Sequence, residues 1–320
     1  MHAALMKQFE PLQEMRYAAG VVLLCGLLET CVVIWGIRSP ILGVLLAISA
    51  LFAYFLCSAS LLLHGIKHAS LVVVSLCVPH LITSFFLDDP GALIFLLQWG
   101  LTTVGVLVLS VSLRAYKSWS LGFECVAGLA VLVVLLAHAW VPDLTQWWVD
   151  LMQLKMNPLI EDPSYQGPAL QPLIQNLARF QTGYMVTHIL VLASMLITWL
   201  AMNWVRAIQP TQWTQYLKGV RVGKTLTLSG LIVLISLWFQ PTSITLDIVP
   251  IWMILLAFSG LSMIHILAAE SSSKNIILSC IYLVIFLMPT TLLSCVILGM
   301  IDGLTPLRAW CVARLKGQTQ

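Results

Sequence analysis

Between two long apolar blocks, residues 202–224 have the sequence MNWVRAIQPTQWTQYLKGVRVGK. This short stretch carries four of the sixteen Lys and Arg residues of the chain, namely Arg206, Lys218, Arg221 and Lys224. Tryptophan and tyrosine stand among them, and both are typical of the boundary between lipid and water. We therefore expect a membrane span on each side of this stretch in the chain.

The apolar residues of the stretch have helical spacing. Trp213, Tyr216, Leu217 and Val220 stand at positions i, i+3, i+4 and i+7, which share one face of a helix. A basic amphipathic helix between spans lies in the headgroup layer, with its cations facing lipid phosphates. The pattern predicts such a helix over residues 207–221 on the cytoplasmic side. Its membrane-interface residues are Arg206, Trp213, Lys218 and Arg221.

The composition predicts that lipid surrounds most of the chain. Of its 320 residues, 60% are hydrophobic and 9% are charged, and the mean hydropathy is +0.96. Soluble domains carry about 25% charged residues, so no soluble core could bury this much apolar surface. The net charge is +3, and the basic residues are spread over loops. We therefore expect membrane lipid as a partner and no nucleic acid.

Nine stretches are apolar and long enough to suggest membrane-spanning helices, which need roughly 20 residues. They are residues 18–36, 40–63, 69–87, 92–113, 120–140, 183–205, 225–240, 248–268 and 275–300. Turn-forming sequences such as Asp88-Asp89-Pro90-Gly91 separate them. The chain is thus predicted to be all-α: one integral membrane domain over residues 1–320, a polytopic transmembrane bundle with interfacial amphipathic helices.

The distribution of basic residues predicts the orientation of these spans. With the N-terminus in the cytoplasm and nine spans, ten of the sixteen Lys and Arg residues face inward and six face outward. Three of the outward six are Arg308, Arg314 and Lys316 in the C-terminal tail. The short 225–240 stretch and the 275–300 stretch, which Pro289 interrupts, leave eight or nine spans open.

The longest polar region covers residues 141–182. Leu144, Trp147, Trp148 and Leu151 share one helical face, and a second apolar face follows in residues 170–177. Residues 161–168 between them contain two prolines and are typical of a loop. This region is predicted to form a cap of two surface helices joined by a loop.

Ionisable and polar residues at membrane depth point to function, because each is costly there unless it is paired or hydrated. Glu29 stands within the first predicted span, and His80 follows Pro79, where a bend frees backbone carbonyls. Gln98, beside Trp99, is a further polar group at depth. We interpret Glu29, His80 and Gln98 as candidate substrate-binding residues. The alternative role for each is an interhelical hydrogen bond.

Other chemistry lacks a motif in this sequence. Three further histidines lie in predicted spans, His138, His188 and His265, but no H-x-x-H or H-E-x-x-H pattern occurs. The eight cysteines form no C-x-x-C pair, and neither a Walker motif nor G-x-S-x-G is present. We therefore predict no metal, no cofactor and no enzymatic activity.

The C-terminal third resembles a family of uncharacterised bacterial membrane proteins, the YybS-like family. Gln209-Pro210 with Trp213, Tyr216 and Val220-Arg221 resembles that family's Asn-Pro-Gly-Gly-Phe linker and trailing Leu-Arg. Gly260 to His265 resembles its Gly-led span with a histidine, and Gly299 to Asp302 followed by Arg308 resembles its closing motif. Thr211-Gln212 replaces the usual Gly-Gly pair. The resemblance implies a multi-pass protein of the bacterial inner membrane, distantly similar to substrate-binding subunits of energy-coupling-factor transporters.

Three functions are open at this point. The first is a small-molecule binding or transport protein with its site near Glu29, His80 and Gln98. The second is a structural or assembly factor that binds other membrane proteins. The third is an intramembrane enzyme, which is least favoured because no acid and nucleophile are paired. Convergence of the three polar residues would favour the first function, whereas scattered polar contacts would favour the second.

Overall fold

The computed structural model describes residues 15–34, 40–86, 90–160, 170–209, 220–269 and 273–317. Within these ranges the chain is all-helical, with no strand, which confirms the predicted class. The helices are α1 (Met15–Ile34), α2 (Pro40–His64), α3 (Ile66–Phe86), α4 (Pro90–Tyr116), α5 (Trp119–Trp140), α6 (Leu144–Ile160), α7 (Leu170–Ala178), α8 (Gln181–Ile208), α9 (Lys224–Phe239), α10 (Ser243–Ala269), α11 (Lys274–Leu287), α12 (Leu292–Leu304) and α13 (Leu307–Gly317). Thr187–Ala193 within α8 has the wider π-helical form.

Five helices in the described part of the chain are long and apolar enough to cross a membrane. They are Val44–His64, Leu96–Tyr116, Trp119–Trp140, Gln181–Ile208 and Ser243–Ala269. Four shorter apolar helices accompany them: Ala69–Thr83, Lys224–Phe239, Lys274–Leu287 and Leu292–Leu304. Each predicted span coincides with a helix except 275–300, which is divided between α11 and α12 by a 3-10 turn at Pro289–Thr291. The protein is therefore a helical membrane protein.

The chain, predicted to form a single domain, divides into two compact units, each held together by contacts among its own residues. The first contains residues 1–126 and 189–218, and the second contains residues 127–188 and 219–320. In the first unit, α1, α2, α3, α4 and the C-terminal part of α8 share one apolar core. Val22, Leu61, Leu76 and Val106 lie at its centre, and a buried hydrogen bond of 2.8 Å joins Ser58 and Ser110. Packing of apolar faces thus brings these helices together.

In the second unit, small residues let helix backbones touch. A Cβ atom at Gly260 of α10 would overlap the Cys295 carbonyl of α12, and one at Gly299 would overlap the Leu256 carbonyl. These pairs run in opposite directions along the two helices, so α10 and α12 are antiparallel. Small residues allow the close backbone approach on which helix association in membranes depends.

The predicted cap contains two helices. They are α6 and α7, and they pack on each other in the second unit. Trp148 is buried and donates a hydrogen bond of 2.7 Å from Nε1 to the Thr182 hydroxyl. Trp147 contacts Trp148 edge to face, with ring centres 4.8 Å apart. The predicted loop 161–168 and residues 210–219 of the predicted interfacial helix 207–221 lie outside the described residues, as do Trp213 and Lys218.

Candidate functional site: a polar cluster around Glu29 and His80

Pro79 of α3 lies at the contact between α1 and α3, next to the candidate site. Proline has no N–H and cannot donate to the carbonyl four residues earlier. It therefore removes one hydrogen bond of the helix and bends the backbone there. The Pro79 carbonyl accepts hydrogen bonds from the hydroxyls of Thr30 (3.0 Å) and Thr83 (2.9 Å). Gly26 of α1 faces the proline ring, and a Cβ there would lie 2.7 Å from Pro79 Cγ. These contacts hold α1 against α3 one turn from Glu29.

The structure brings Glu29 and His80 together. Glu29 Oε2 lies 3.4 Å from His80 Nε2, and the two side chains are 16% and 5% exposed. His80 Nδ1 lies 2.9 Å from the Leu76 carbonyl, which can only accept, so Nδ1 carries a proton. Nε2 therefore faces the carboxyl group.

An aromatic ring covers one face of this pair. Trp99 of α4 stacks on His80, with ring centres 4.2 Å apart and planes 16° apart. The Trp99 Nε1 atom is buried and has no hydrogen-bond partner among the described residues. Its backbone carbonyl accepts from the Thr103 hydroxyl at 3.0 Å and more weakly from the Tyr54 hydroxyl at 3.4 Å. We call Glu29, Tyr54, His80, Trp99 and Thr103 the polar cluster; four helices contribute to it.

The third predicted substrate-binding residue lies elsewhere. The Gln98 side chain is exposed, and the Gln98 backbone carbonyl accepts a hydrogen bond from the Thr102 hydroxyl. Successive residues of a helix point about 100° apart, so Gln98 and Trp99 of α4 face different directions. The structure therefore places Trp99, and not Gln98, beside Glu29 and His80. Sequence reasoning missed Tyr54 and Thr103, because an aromatic residue and a threonine in an apolar helix carry no motif.

The second unit contains a different carboxylate–histidine pair. Asp247 Oδ2 lies 2.9 Å from His138 Nε2, and the Gly183 N–H donates to Asp247 Oδ1 at 2.7 Å. Asp247 is buried and is near the start of α10, while Gly183 is in the first turn of α8. The first N–H groups of a helix need an acceptor, and here a carboxylate from another helix supplies one. A Cβ at Gly183 would overlap the Asp247 backbone.

A further set of charged residues lies in the C-terminal part of the second unit. Arg308 donates to Asp302 Oδ2 at 2.8 Å and to the Val220 carbonyl at 3.1 Å. Arg221 donates to the carbonyls of Asp302 (2.6 Å) and Thr305 (2.9 Å). Arg221, predicted to face lipid phosphates, thus bonds backbone carbonyls of the chain, and its contact with lipid stays a prediction. Asp302 is fully buried, and Arg308 pairs with its Oδ2 atom, whereas Oδ1 has no hydrogen-bond partner among the described residues.

The remaining predicted residues have local contacts. His188 Nδ1 lies 2.9 Å from the Tyr184 carbonyl, and His265 Nε2 lies 2.6 Å from the Tyr282 hydroxyl. Arg206 is exposed in the last turn of α8. Among the described residues, no group of three or more His, Cys, Asp or Glu side chains could hold a metal ion.

No family model, curated protein or solved structure matches this chain. The resemblance to the YybS-like family therefore stays a prediction. The class of the protein, a helical membrane protein, follows from its own helices.

Proposed function

We propose that this chain is a membrane transport protein that binds a small, positively charged molecule at the polar cluster and exchanges it for a proton. The observation that carries the proposal is the Glu29–His80 pair. A carboxyl group and an imidazole lie 3.4 Å apart in the apolar core of the first unit. Such intramembrane pairs are costly and mark proton or substrate paths.

The exchange part of the proposal requires that Glu29 and His80 share one proton. With one proton between Glu29 and His80, both arrangements of that proton leave the pair without net charge. A cation that binds the Glu29 carboxylate restores neutrality only if this proton leaves. One positive charge then enters for each proton released, and no unpaired charge remains buried. His80 is held by Leu76 and by the Trp99 ring, so it is oriented toward the carboxyl in either state.

The cluster has the chemistry to recognise a cation. A carboxylate supplies the opposite charge, and an indole ring attracts ammonium groups through its π electrons. Glu29 keeps some exposure, which leaves one side of the carboxyl accessible. The buried Nε1–H of Trp99 can donate to an acceptor group elsewhere on the substrate. Primary amines and quaternary ammonium compounds are therefore the substrates to test first.

The proposal includes a topology with a cytoplasmic N-terminus. Alternating spans place His138, Gly183 and Asp247 at the outer ends of the fifth, sixth and eighth spans. Their contacts with one another support this order. Trp140 (85% exposed) and Trp238 (86% exposed) end α5 and α9, where the same order expects the outer boundary.

The last apolar stretch keeps eight or nine spans in the proposal. In this topology α10 runs from the outer side to the inner side, and α12 is antiparallel to α10, so α12 runs back toward the outer side. Gly303, at the end of α12, packs against Thr227 in the first turn of α9, and Arg308 contacts Val220 just before α9. With the resemblance above, we propose a bacterial inner membrane as the location.

Ligand-induced stabilisation tests the function. The purified chain is heated in detergent with a panel of amines, quaternary ammonium compounds, neutral sugars and anions. We expect one class of cation to raise the unfolding temperature of the wild type and of Glu124→Gln, but not of Glu29→Gln. Glu124 is a half-buried carboxyl in α5 outside the cluster, so it is the matched control. Equal shifts in wild type and Glu29→Gln would exclude this binding site.

Proton exchange needs a second measurement. In liposomes that contain a pH-sensitive dye, adding the stabilising cation outside should release protons from the inside only with wild-type protein. Uptake of the cation without proton movement would support cation binding and contradict the exchange mechanism.

An assembly factor is the second candidate function, and the exposed Gln98 favours it. A glutamine amide on the outer face of an apolar helix lacks water in lipid and is satisfied by another membrane protein. Crosslinking in cells from a photoreactive residue at position 98 would test this. A discrete crosslinked partner that Gln98→Leu abolishes would support assembly, and crosslinks to lipid alone would contradict it.

A further inference from the structure

A groove lies beside the break between α11 and α12 in the second unit. Its volume is about 270 Å³, and its walls include Ile264 of α10, Ile281 and Val284 of α11, and Ser294 of α12. Helix α11 contributes no buried residue, and Phe286 is 81% exposed on it. The groove is therefore open along α11 and almost entirely apolar.

The length of α11 explains why the groove is not closed by protein. Fourteen residues rise about 21 Å, whereas the hydrocarbon core of a bilayer is about 30 Å thick. The chain then turns at Pro289–Thr291 before α12 begins. At the turn, the Thr291 N–H and hydroxyl both bond the Met288 carbonyl, at 2.9 and 2.7 Å. The chain thus satisfies the Met288 carbonyl at the break through its own contacts.

A positive charge stands at the entrance of α11. Lys274 is exposed, acts electrostatically on His265 and forms no ion pair within the described part of the chain. It precedes Ile281 by seven residues, or about 10 Å along the helix. Lys274 lies on the inner side in the proposed topology, where bilayer surfaces carry anionic lipid.

We infer that this groove binds the acyl chain of an anionic phospholipid whose headgroup phosphate pairs with Lys274. The shape accepts a flexible hydrocarbon chain, the charge selects the headgroup, and the 10 Å between them lies within the length of one lipid. The inference needs the membrane setting of the protein but not the Glu29–His80 site. Its failure would leave the transport proposal untouched.

The test uses full-length protein in nanodiscs of phosphatidylcholine and phosphatidylglycerol. Each lipid in turn carries a photoreactive group on its acyl chain, and labelled peptides are identified by mass spectrometry. In the wild type we expect the α11–α12 peptides to be labelled by phosphatidylglycerol about fivefold more than by phosphatidylcholine, the preference that one basic residue provides. Lys274→Gln should remove that preference while labelling persists.

Two tryptophan variants separate the groove from the rest of the helix. Ile281→Trp fills the groove, whereas Leu283→Trp lies on an exposed part of α11 outside its lining. Labelling should fall several-fold only in Ile281→Trp, whose unfolding temperature checks that it is folded; if it is not, Ser294→Leu replaces it. Equal labelling by both lipids in the wild type, equal labelling of the two tryptophan variants, or crosslinks to a second copy of the chain would overturn the inference.

Discussion

Glu29 Oε2 lies 3.4 Å from His80 Nε2, although 51 residues separate the two in the chain. The pair joins α1 to α3 in the core of the first unit, with both side chains largely withdrawn from solvent. Removing either group leaves the other buried without its partner, which is more costly than removing both.

A double-mutant cycle on this pair measures that dependence. Glu29→Gln and His80→Asn each keep hydrogen-bonding capacity and remove the possibility of ionic pairing. We expect the two losses in unfolding free energy to be non-additive by about 0.5–3 kcal/mol, because the contact is lost once in the double variant. Denaturant unfolding in detergent micelles gives the four values. Additivity within error would mean that the two groups do not interact.

Gly183→Ala should destabilise the second unit. A Cβ there overlaps the Asp247 backbone, so the start of α8 must move away from α10 and lose the hydrogen bond from Gly183 to Asp247. We expect a loss of about 1–3 kcal/mol, as for other overpacked sites. The control is Gly128→Ala, because a Cβ at that helical glycine meets nothing within 4 Å and should be neutral or slightly stabilising. Similar unfolding temperatures for the two variants would contradict the close approach at Gly183.

Asp302→Ala should be among the most damaging single changes in the second unit. It leaves the Arg308 guanidinium partly buried without its carboxylate, and breaking a buried pair costs about 3–5 kcal/mol. Since Asp302 does not belong to the polar cluster, the ligand-induced stabilisation should survive in any folded fraction. Thermal unfolding, with size-exclusion chromatography for the folded fraction, is the measurement. A charge-conserving Asp302→Glu variant separates loss of charge from loss of fit.

Trp148→Phe removes one hydrogen bond and keeps most of the apolar ring. Trp148 is a buried residue of the cap helix α6, and its indole N–H donates to the Thr182 hydroxyl at the start of α8 at 2.7 Å. We expect a loss of about 0.5–1.5 kcal/mol in unfolding free energy, the usual net value of one such bond. Trp147→Phe is the matched control, because the Trp147 ring donates no hydrogen bond within the described part of the chain. If Trp147→Phe is the more destabilising of the two, packing and not the hydrogen bond explains the role of the pair.

Hydrophobicity along the chain was sufficient to predict the helices. Lipid offers no hydrogen bonds, so an apolar stretch of about 20 residues must satisfy its own backbone, and a helix does so locally. For that reason α2, α4, α5 and α10 match stretches recognised from apolar length alone. The break at Pro289–Thr291 could be predicted from a proline in an apolar run. Its effect on the last predicted span could not be predicted from the sequence.

The partners of the buried polar residues depended on the tertiary structure. Glu29 and His80 were recognisable as costly residues at depth, and their pairing was decided by the packing of α1 on α3 at Gly26 and Pro79. The rotation of α4 turned Trp99 toward His80 and left Gln98 exposed, a difference of one residue that composition does not encode. Asp247 was adjacent to a predicted span, and only the fold placed it against Gly183 and His138. The sequence by itself thus determined helix and membrane, which are local responses to solvent, whereas the tertiary structure decided which polar groups meet, because such contacts join residues far apart in the chain.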